Sequence, residues 1–252
     1  MNQHLHVFAS RPELNQGVAE AVVRLAQRTV AERGAFHIAL AGGRTPRDIY
    51  HCLAQAPLCD EMPWHKVHVY FGDERTVAPE HEQSNFGMAR GALLSKVPVP
   101  ANQIHRMQGE ESDPLGEAAR YERELRSSAP STNGWPCLDL VLLGIGADGH
   151  IASLFPGTSA IQVLDRAVTA VHVSQLNTWR ITVTFPLLNH AREVFIVAAG
   201  EEKAAIVKAA LDVNAGVLYP VQQLHNTSRL TWFLDAGAAA QLANSHSATR
   251  TR

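Results

Sequence analysis

Charge of one sign, long apolar runs and paired cysteines are all missing from this chain, and each absence removes a class of protein. The formal net charge over 252 residues is −2 with both signs spread along the sequence. That leaves no electrostatic footprint for nucleic acid or an anionic membrane. The longest apolar runs, such as LVLLGIGA, fall far short of a membrane span. The first residues, MNQHLHVFASRPE, lack the basic start and apolar core of a signal peptide. Cys52, Cys59 and Cys137 form no CxxC and leave an odd count, which points to reduced thiols and a cytoplasmic location. No HExxH occurs, and His4/His6 and His65/His68 fall at strand edges, so no metal is expected. Neither the GK[ST] of a Walker loop nor a GxSxG elbow is present, and no cysteine lies in the glycine-rich loops. A covalent Ser or Cys nucleophile is therefore not expected.

What is present is an alternation of strand-like and helical patterns. HLHVFAS reads as a strand, and Leu14, Val18, Val22 and Leu25 recur at helical spacing up to a stop at Gly34. AFHIALAGG is a buried strand followed by the helix PRDIYHCLAQA. KVHVYFGDE is a strand followed by the helix SNFGMARGALLSKV, with Ser84 as its N-cap. DPLGEAARYERELRSSA starts with Asp113 capping and Pro114 at the first helical position. LDLVLLGIG, AVTAVHVS, RITVTF, EVFIVAAG and LTWFLD read as strands, with the helix EEKAAIVKAAL before the last. The Ala-rich end should begin as a helix and fray, so 240–252 reads as a solvated tail on a single domain spanning 1–252.

Strands separated by helices predict an α/β fold with a mainly parallel sheet covered by helices on both faces, a Rossmann-like three-layer arrangement. Ligands of such folds bind beyond the carboxyl ends of the strands. The loops after ALAGG, VYFGD, LLGIG, ITVTF and IVAAG should open there.

Those loops hold the unusual residues. AGGRTPRDIY passes from strand to helix through Gly42, Gly43, Arg44, Thr45 and Pro46, with Thr45 a candidate cap. Its backbone amides and helix N-terminus suit a phosphate, although an ordinary strand–helix turn has the same composition. FGDER places Asp73, Glu74 and Arg75 in a row. Such triplets are usually solvated, but a guanidinium at the end of a buried strand also suits a phosphate or an oxyanion. In LGIGADGHIASLFPG, Gly144, Gly146 and Gly149 match GxGxxG, with Asp165 near the spacing of a ribose-binding acid. A dinucleotide fold then needs a full helix, and Phe155-Pro156-Gly157 stops any helix after about one turn. His150, with Asp148 two residues away, suits a general base that activates water.

AGGRTP, YFGDER, the SN of QSNFGMAR, LGIGADGHIASLFPG, WRITVTFPLLN and AAGEEKA stand in this order. With them the chain resembles the 6-phosphogluconolactonases from about residue 35 to 220. The related glucosamine-6-phosphate deaminases place Asn-Glu-Pro where this chain has Leu154-Phe155-Pro156. The missing glutamate favours the lactonase. Relatives often carry serine at the position of Arg44. The resemblance implies cytoplasmic hydrolysis of 6-phospho-D-glucono-1,5-lactone to 6-phosphogluconate in the oxidative pentose phosphate pathway, with no metal or organic cofactor. It places the phosphate against Gly42, Gly43, Arg44 and Thr45, with charge from Arg180 and Lys203. It makes His150 the base and Asp148 its holder, and gives Arg75 to the oxyanion or the phosphate. Asp73 joins the substrate-binding set. A monomer is the expected state. Two other classes stay open: a deaminase or isomerase, which needs a ring-opening acid at Leu154 or Phe155, and a sugar-phosphate sensor, which needs no His150.

Overall fold

In chain order the elements are β1 (Gln3–Phe8), α1 (Arg11–Arg33), β2 (Phe36–Leu40), α2 (Arg44–Leu53), α3 (Leu58–Glu61), β3 (Val67–Phe71) and β4 (Asp73–Arg75). They continue with α4 (Asn85–Ala89), α5 (Pro114–Ser128), β5 (Ser131–Thr132), β6 (Trp135–Pro136), β7 (Leu140–Gly144) and β8 (Val168–Val173). The last are β9 (Thr178–Val183), α6 (Phe185–His190), β10 (Glu193–Ala198), α7 (Ala204–Leu211) and β11 (Arg229–Asp235). The computed structural model describes residues 3–212, 218–224 and 229–242.

Local chemistry sets the helix boundaries. The Ser10 hydroxyl accepts from the Glu13 amide at the start of α1, and Gly34 closes that helix. The Ser84 hydroxyl accepts from the Gly87 amide on α4. Asp113 caps α5, whose first residue is Pro114. The Gly34, Ser84 and Asp113 boundaries agree with the sequence pattern. The Thr45 cap does not. The helix starts at Arg44, two residues earlier than expected, with Gly43 at the N-cap and no side-chain cap bond.

Six strands form a parallel sheet in the order β1-β11-β10-β7-β2-β3. Alternate side chains feed two cores, as strands buried on both faces require. Phe36, Ile38 and Leu40 of β2 and Leu140 and Leu142 of β7 join Leu14, Val18, Ile49 and Leu53 of α1 and α2 on one face. Ala39, Val141 and Leu143 face Tyr121 and Leu125 of α5 and Leu187 of α6 on the other. β2 and β7 pair through Ile38 with Leu140 and Ala39 with Val141. Beyond those residues the two strands diverge, which opens a crevice at the carboxyl edge.

Three sequence expectations need correction. AVTAVHVS and RITVTF are strands, but β8 and β9 pair antiparallel with each other, and β9 pairs with β4, in a separate sheet ordered β4-β9-β8. The connection between them is a single short turn at Ser174–Leu176 and Asn177. A parallel pair needs a crossover of about a dozen residues, so only a hairpin fits. The triplet Asp73–Arg75 is likewise strand β4 rather than loop. The Ala-rich end forms turns over 236–242 instead of a helix. There the Asp235 carboxylate accepts from the amides of Ala238, at 2.7 Å, and Gly200, at 3.0 Å, and ties the chain back to β10. The rest of the expected tail, 243–252, lies outside the described residues.

Candidate active site

The N-terminus of α2 points its first amides, uncapped by any side chain, at the carboxyl edge of the sheet. An uncapped N-terminus is a ready anion site. Asn85 packs against Gly42 closely enough that a side chain there would collide with the Asn85 amide. The SN pair therefore shapes the loop from behind.

β4 brings charge to the same edge. Glu74 is buried and accepts from the amides of Arg75 at 2.8 Å, Asn85 at 2.7 Å and Phe86 at 2.8 Å, and from the Ser84 hydroxyl at 3.2 Å. Burial pushes its carboxyl above the ordinary range even against those bonds. This glutamate, which the sequence reading left as part of a solvated triplet, locks β4 onto the start of α4. Asp73 is 8% exposed and both of its oxygens are engaged, Oδ1 by the Asn85 amide at 3.1 Å and Oδ2 by the Ser153 hydroxyl at 2.6 Å. It lines the cleft and braces the loop that carries His150.

Arg75 lies opposite Arg180 in the β4–β9 register. Like charges directly opposite on a sheet are unfavourable. Burial, and then the charge of Arg75, pulls the Arg180 guanidinium below its ordinary value. Arg75 Nη1 donates to the Gln83 carbonyl at 2.6 Å, while Arg75 Nε and Arg180 Nη1 are buried without partners. Arg180 stands beside Arg75 but is not among the residues lining the cleft. Arg180, on β9, and not the loop after ITVTF, is what that segment supplies here.

The glycine-rich loop holds the base. The Gly146 amide donates to the His150 carbonyl at 2.9 Å and the Gly149 amide to the Gly146 carbonyl at 3.0 Å, closing a tight turn. Gly149 has φ +78°, and a Cβ there would meet Tyr219 at 2.7 Å. A Cβ on Gly146 would collide with the imidazole of His150, so the ring folds back only because that position is bare. His150 Nδ1 is 2.6 Å from Asp148 Oδ1, and its ring lies 4.0 Å from that of Phe155, centroid to centroid. Partial burial raises the Asp148 carboxyl, but the hydrogen bond and charge of His150 outweigh it and leave it below its ordinary value. No helix follows, since residues 151–157 form turns and an isolated Ile151–Leu154 bridge. Leu154 is fully buried and Phe155 is occupied with His150, so neither position offers an acid. Asp165 is exposed and paired with Arg166 at 2.9 Å.

These loops enclose a cleft of about 350 Å³. It is lined by Gly42, Gly43, Arg44, Thr45, Asp73, Arg75, His150 and Lys203, among others. Lys203 Nζ donates to the Ile145 carbonyl at 2.8 Å, which leaves two of its three donors for a ligand. The sequence reading missed Arg11 and Glu202, which also line the cleft. Among the described residues no group of three or more His, Cys, Asp or Glu is placed to hold a metal ion, and no helix is long and apolar enough to cross a membrane.

Fold and site together define an α/β protein of the small-molecule-binding kind, whose cleft joins an uncapped helix N-terminus to a carboxylate-held imidazole. The family described as Glucosamine-6-phosphate isomerases/6-phosphogluconolactonase matches residues 9–232, and the chain belongs to it. It is 38% identical to the 6-phosphogluconolactonase of a Nostoc species, over 96% of this chain and 100% of that protein. It is also 38% identical to the 6-phosphogluconolactonase of a Synechocystis species, over 96% of this chain and 99% of the relative. The solved 6-phosphogluconolactonase of Trypanosoma cruzi superposes with a TM-score of 0.86 at 29% identity, covering 96% of this chain and 97% of that one.

Proposed function

We propose that this chain hydrolyses 6-phospho-D-glucono-1,5-lactone to 6-phosphogluconate, the lactone-opening step of the oxidative pentose phosphate pathway, with His150 activating the attacking water. The observation that carries the mechanism is the 2.6 Å contact of His150 Nδ1 with Asp148 Oδ1, in the same cleft as the uncapped start of α2. With Nδ1–H donating to Asp148, Nε2 carries the lone pair and takes a proton from water as its oxygen bonds to the lactone carbonyl carbon. The carbonyl oxygen becomes an oxyanion, and Arg75 is the nearby guanidinium suited to it. Collapse of the intermediate breaks the bond to the ring oxygen, which takes the proton back from the imidazolium. The phosphate sits on the Gly42–Thr45 amides with Arg44 and Lys203, and Arg180 adds field from behind Arg75. A lactone is an activated ester, so a base and an oxyanion partner suffice.

A monomer is the state we propose, and the free thiols of Cys52, Cys59 and Cys137 fit the cytoplasm. The deciding experiment is lactone hydrolysis at mildly acidic pH, where the spontaneous reaction is slow, with glucosamine 6-phosphate as control. We expect turnover of the lactone and none of the amine, and a His150→Ala enzyme slower by about a hundredfold to ten-thousandfold. Deamination of the control, or a folded His150→Ala protein at wild-type speed, refutes the reading.

A further inference from the structure

Arg11 sits in a place that a helix alone would not favour. It is the first residue of α1, at the positive end of the helix dipole, where a cation is disfavoured. Its Nη2 donates to the Thr45 hydroxyl at 3.2 Å and lies 3.4 Å from Asp48 Oδ2. Both partners belong to α2, so the guanidinium lies against the first turn of the helix whose amides are uncapped. Arg11 also lines the cleft, together with Gly42, Gly43 and Arg44. Its Nε is buried and has no hydrogen-bond partner. A guanidinium cannot shed its proton to relieve that deficit, and a buried donor without an acceptor is destabilising. The resting arrangement is thus under-satisfied at Nε, and an anion seated in the cleft would supply the missing acceptor. A phosphate monoester offers the several charged oxygens that such a fork matches.

We propose that Arg11 is a phosphate-binding residue of this cleft, recruited from α1, and that it helps the chain select phosphorylated over unphosphorylated sugar ligands. The inference rests on the lactonase reading for the identity of the sugar, but not for the presence of the phosphate. It gives the Thr45 hydroxyl a role too: Thr45 holds the guanidinium at the mouth of the anion site until a phosphate arrives.

The test compares wild type with Arg11→Ala, Arg11→Gln and Arg11→Lys, using calorimetric titration with 6-phosphogluconate, gluconate and inorganic phosphate. Thermal melts establish that each variant is folded. Losing one charge-assisted contact should weaken 6-phosphogluconate by roughly tenfold to a hundredfold in the Ala and Gln variants. The Lys variant should recover most of the affinity, and gluconate should behave alike with all four proteins. If Arg11→Ala does not fold, Arg11→Gln carries the comparison, because it keeps the length of the side chain without its charge. Wild-type affinity for 6-phosphogluconate in the Gln variant overturns the proposal. So does an equal loss for gluconate, or a Lys variant as weak as the Gln variant. A wild-type protein that binds 6-phosphogluconate and inorganic phosphate but opens no lactone sinks the functional reading and leaves Arg11 as proposed.

Discussion

Replacing Gly146 by alanine isolates the base from everything else in the molecule. A Cβ at this position collides with the His150 imidazole and comes within 2.7 Å of Asp148 Oδ1. Gly146 is not among the glycines with positive φ, so the backbone accepts an alanine without strain, and the atoms the added methyl meets are side-chain atoms of His150 and Asp148. The imidazole is the end of a flexible side chain and can rotate away, so fold stability should change by no more than about 1 kcal/mol. What is lost is the contact at 2.6 Å with Asp148 and with it the aimed Nε2. General-base loss corresponds to about a hundredfold to ten-thousandfold in kcat. The α2 amides and Lys203 are untouched, so KM should stay within about threefold of wild type, since binding that is common to ground and transition states is unaffected. Initial rates of lactone hydrolysis at mildly acidic pH, with a thermal melt as control, give both quantities. The double variant with His150→Ala should be no slower than the slower single variant, because both remove the same function. A folded Gly146→Ala enzyme with wild-type kcat, or losses that multiply in the double variant, would refute the reasoning.

Asp148→Asn should lower kcat by about tenfold or more with KM nearly constant, because the amide no longer fixes the tautomer of His150; equal loss in KM would assign Asp148 to substrate binding instead. Since the His150 hydrogen bond and charge keep this carboxyl below its ordinary value, Asp148 should stay ionised as pH falls through the usual carboxylate range and take up its proton only below it, which an NMR titration of the carboxyl carbon reads directly. Lys203→Ala should raise the dissociation constant of 6-phosphogluconate about tenfold or more through loss of a charged donor, and unchanged calorimetry would place the anion elsewhere. His37 is buried, and burial, followed by the charges of His68 and His105, lowers its pKa from 6.5 to about 3. The unfolded chain therefore binds this proton below about pH 6.5 while the native state refuses it until about pH 3, so stability drains away as pH falls through that window. His37→Phe should flatten that acid limb in denaturant titrations at several pH values, and an unchanged slope would show that carboxylates alone cause it.

Much of this architecture is legible in the sequence where the determinant is local. Ser84, Asp113-Pro114 and Gly34 mark their helix ends through bonds made within a few residues. The stop after the glycine loop is readable from Phe155-Pro156-Gly157, and the His150–Asp148 pair from its spacing. Partners chosen across long separations are not legible. Whether RITVTF joins the main sheet or folds back on AVTAVHVS is decided by pairing geometry, which its alternation of side chains does not record. Arg11 is 34 residues from Thr45 and reads as the exposed start of a helix. Glu74 looks solvated until α4 docks on it. Asp73 lines the cleft, but its bonds to Asn85 and Ser153 join segments far apart in the chain.

The brief pairing of β2 with β7 has a consequence for the whole molecule. Ile38–Leu140 and Ala39–Val141 are the register that joins the β2–β3 edge to the rest of the sheet, so the seam between the two halves is sewn with few stitches. The opening that admits a ligand is the same gap where the ladder stops. A sugar phosphate seated there would touch α2 on one bank and the glycine loop and Lys203 on the other, and would act as a rivet across the seam. By linkage, occupancy should stiffen the junction of the two halves and raise the melting temperature with ligand concentration. Substrate, on this view, completes a fold that the backbone deliberately leaves unfinished at one edge.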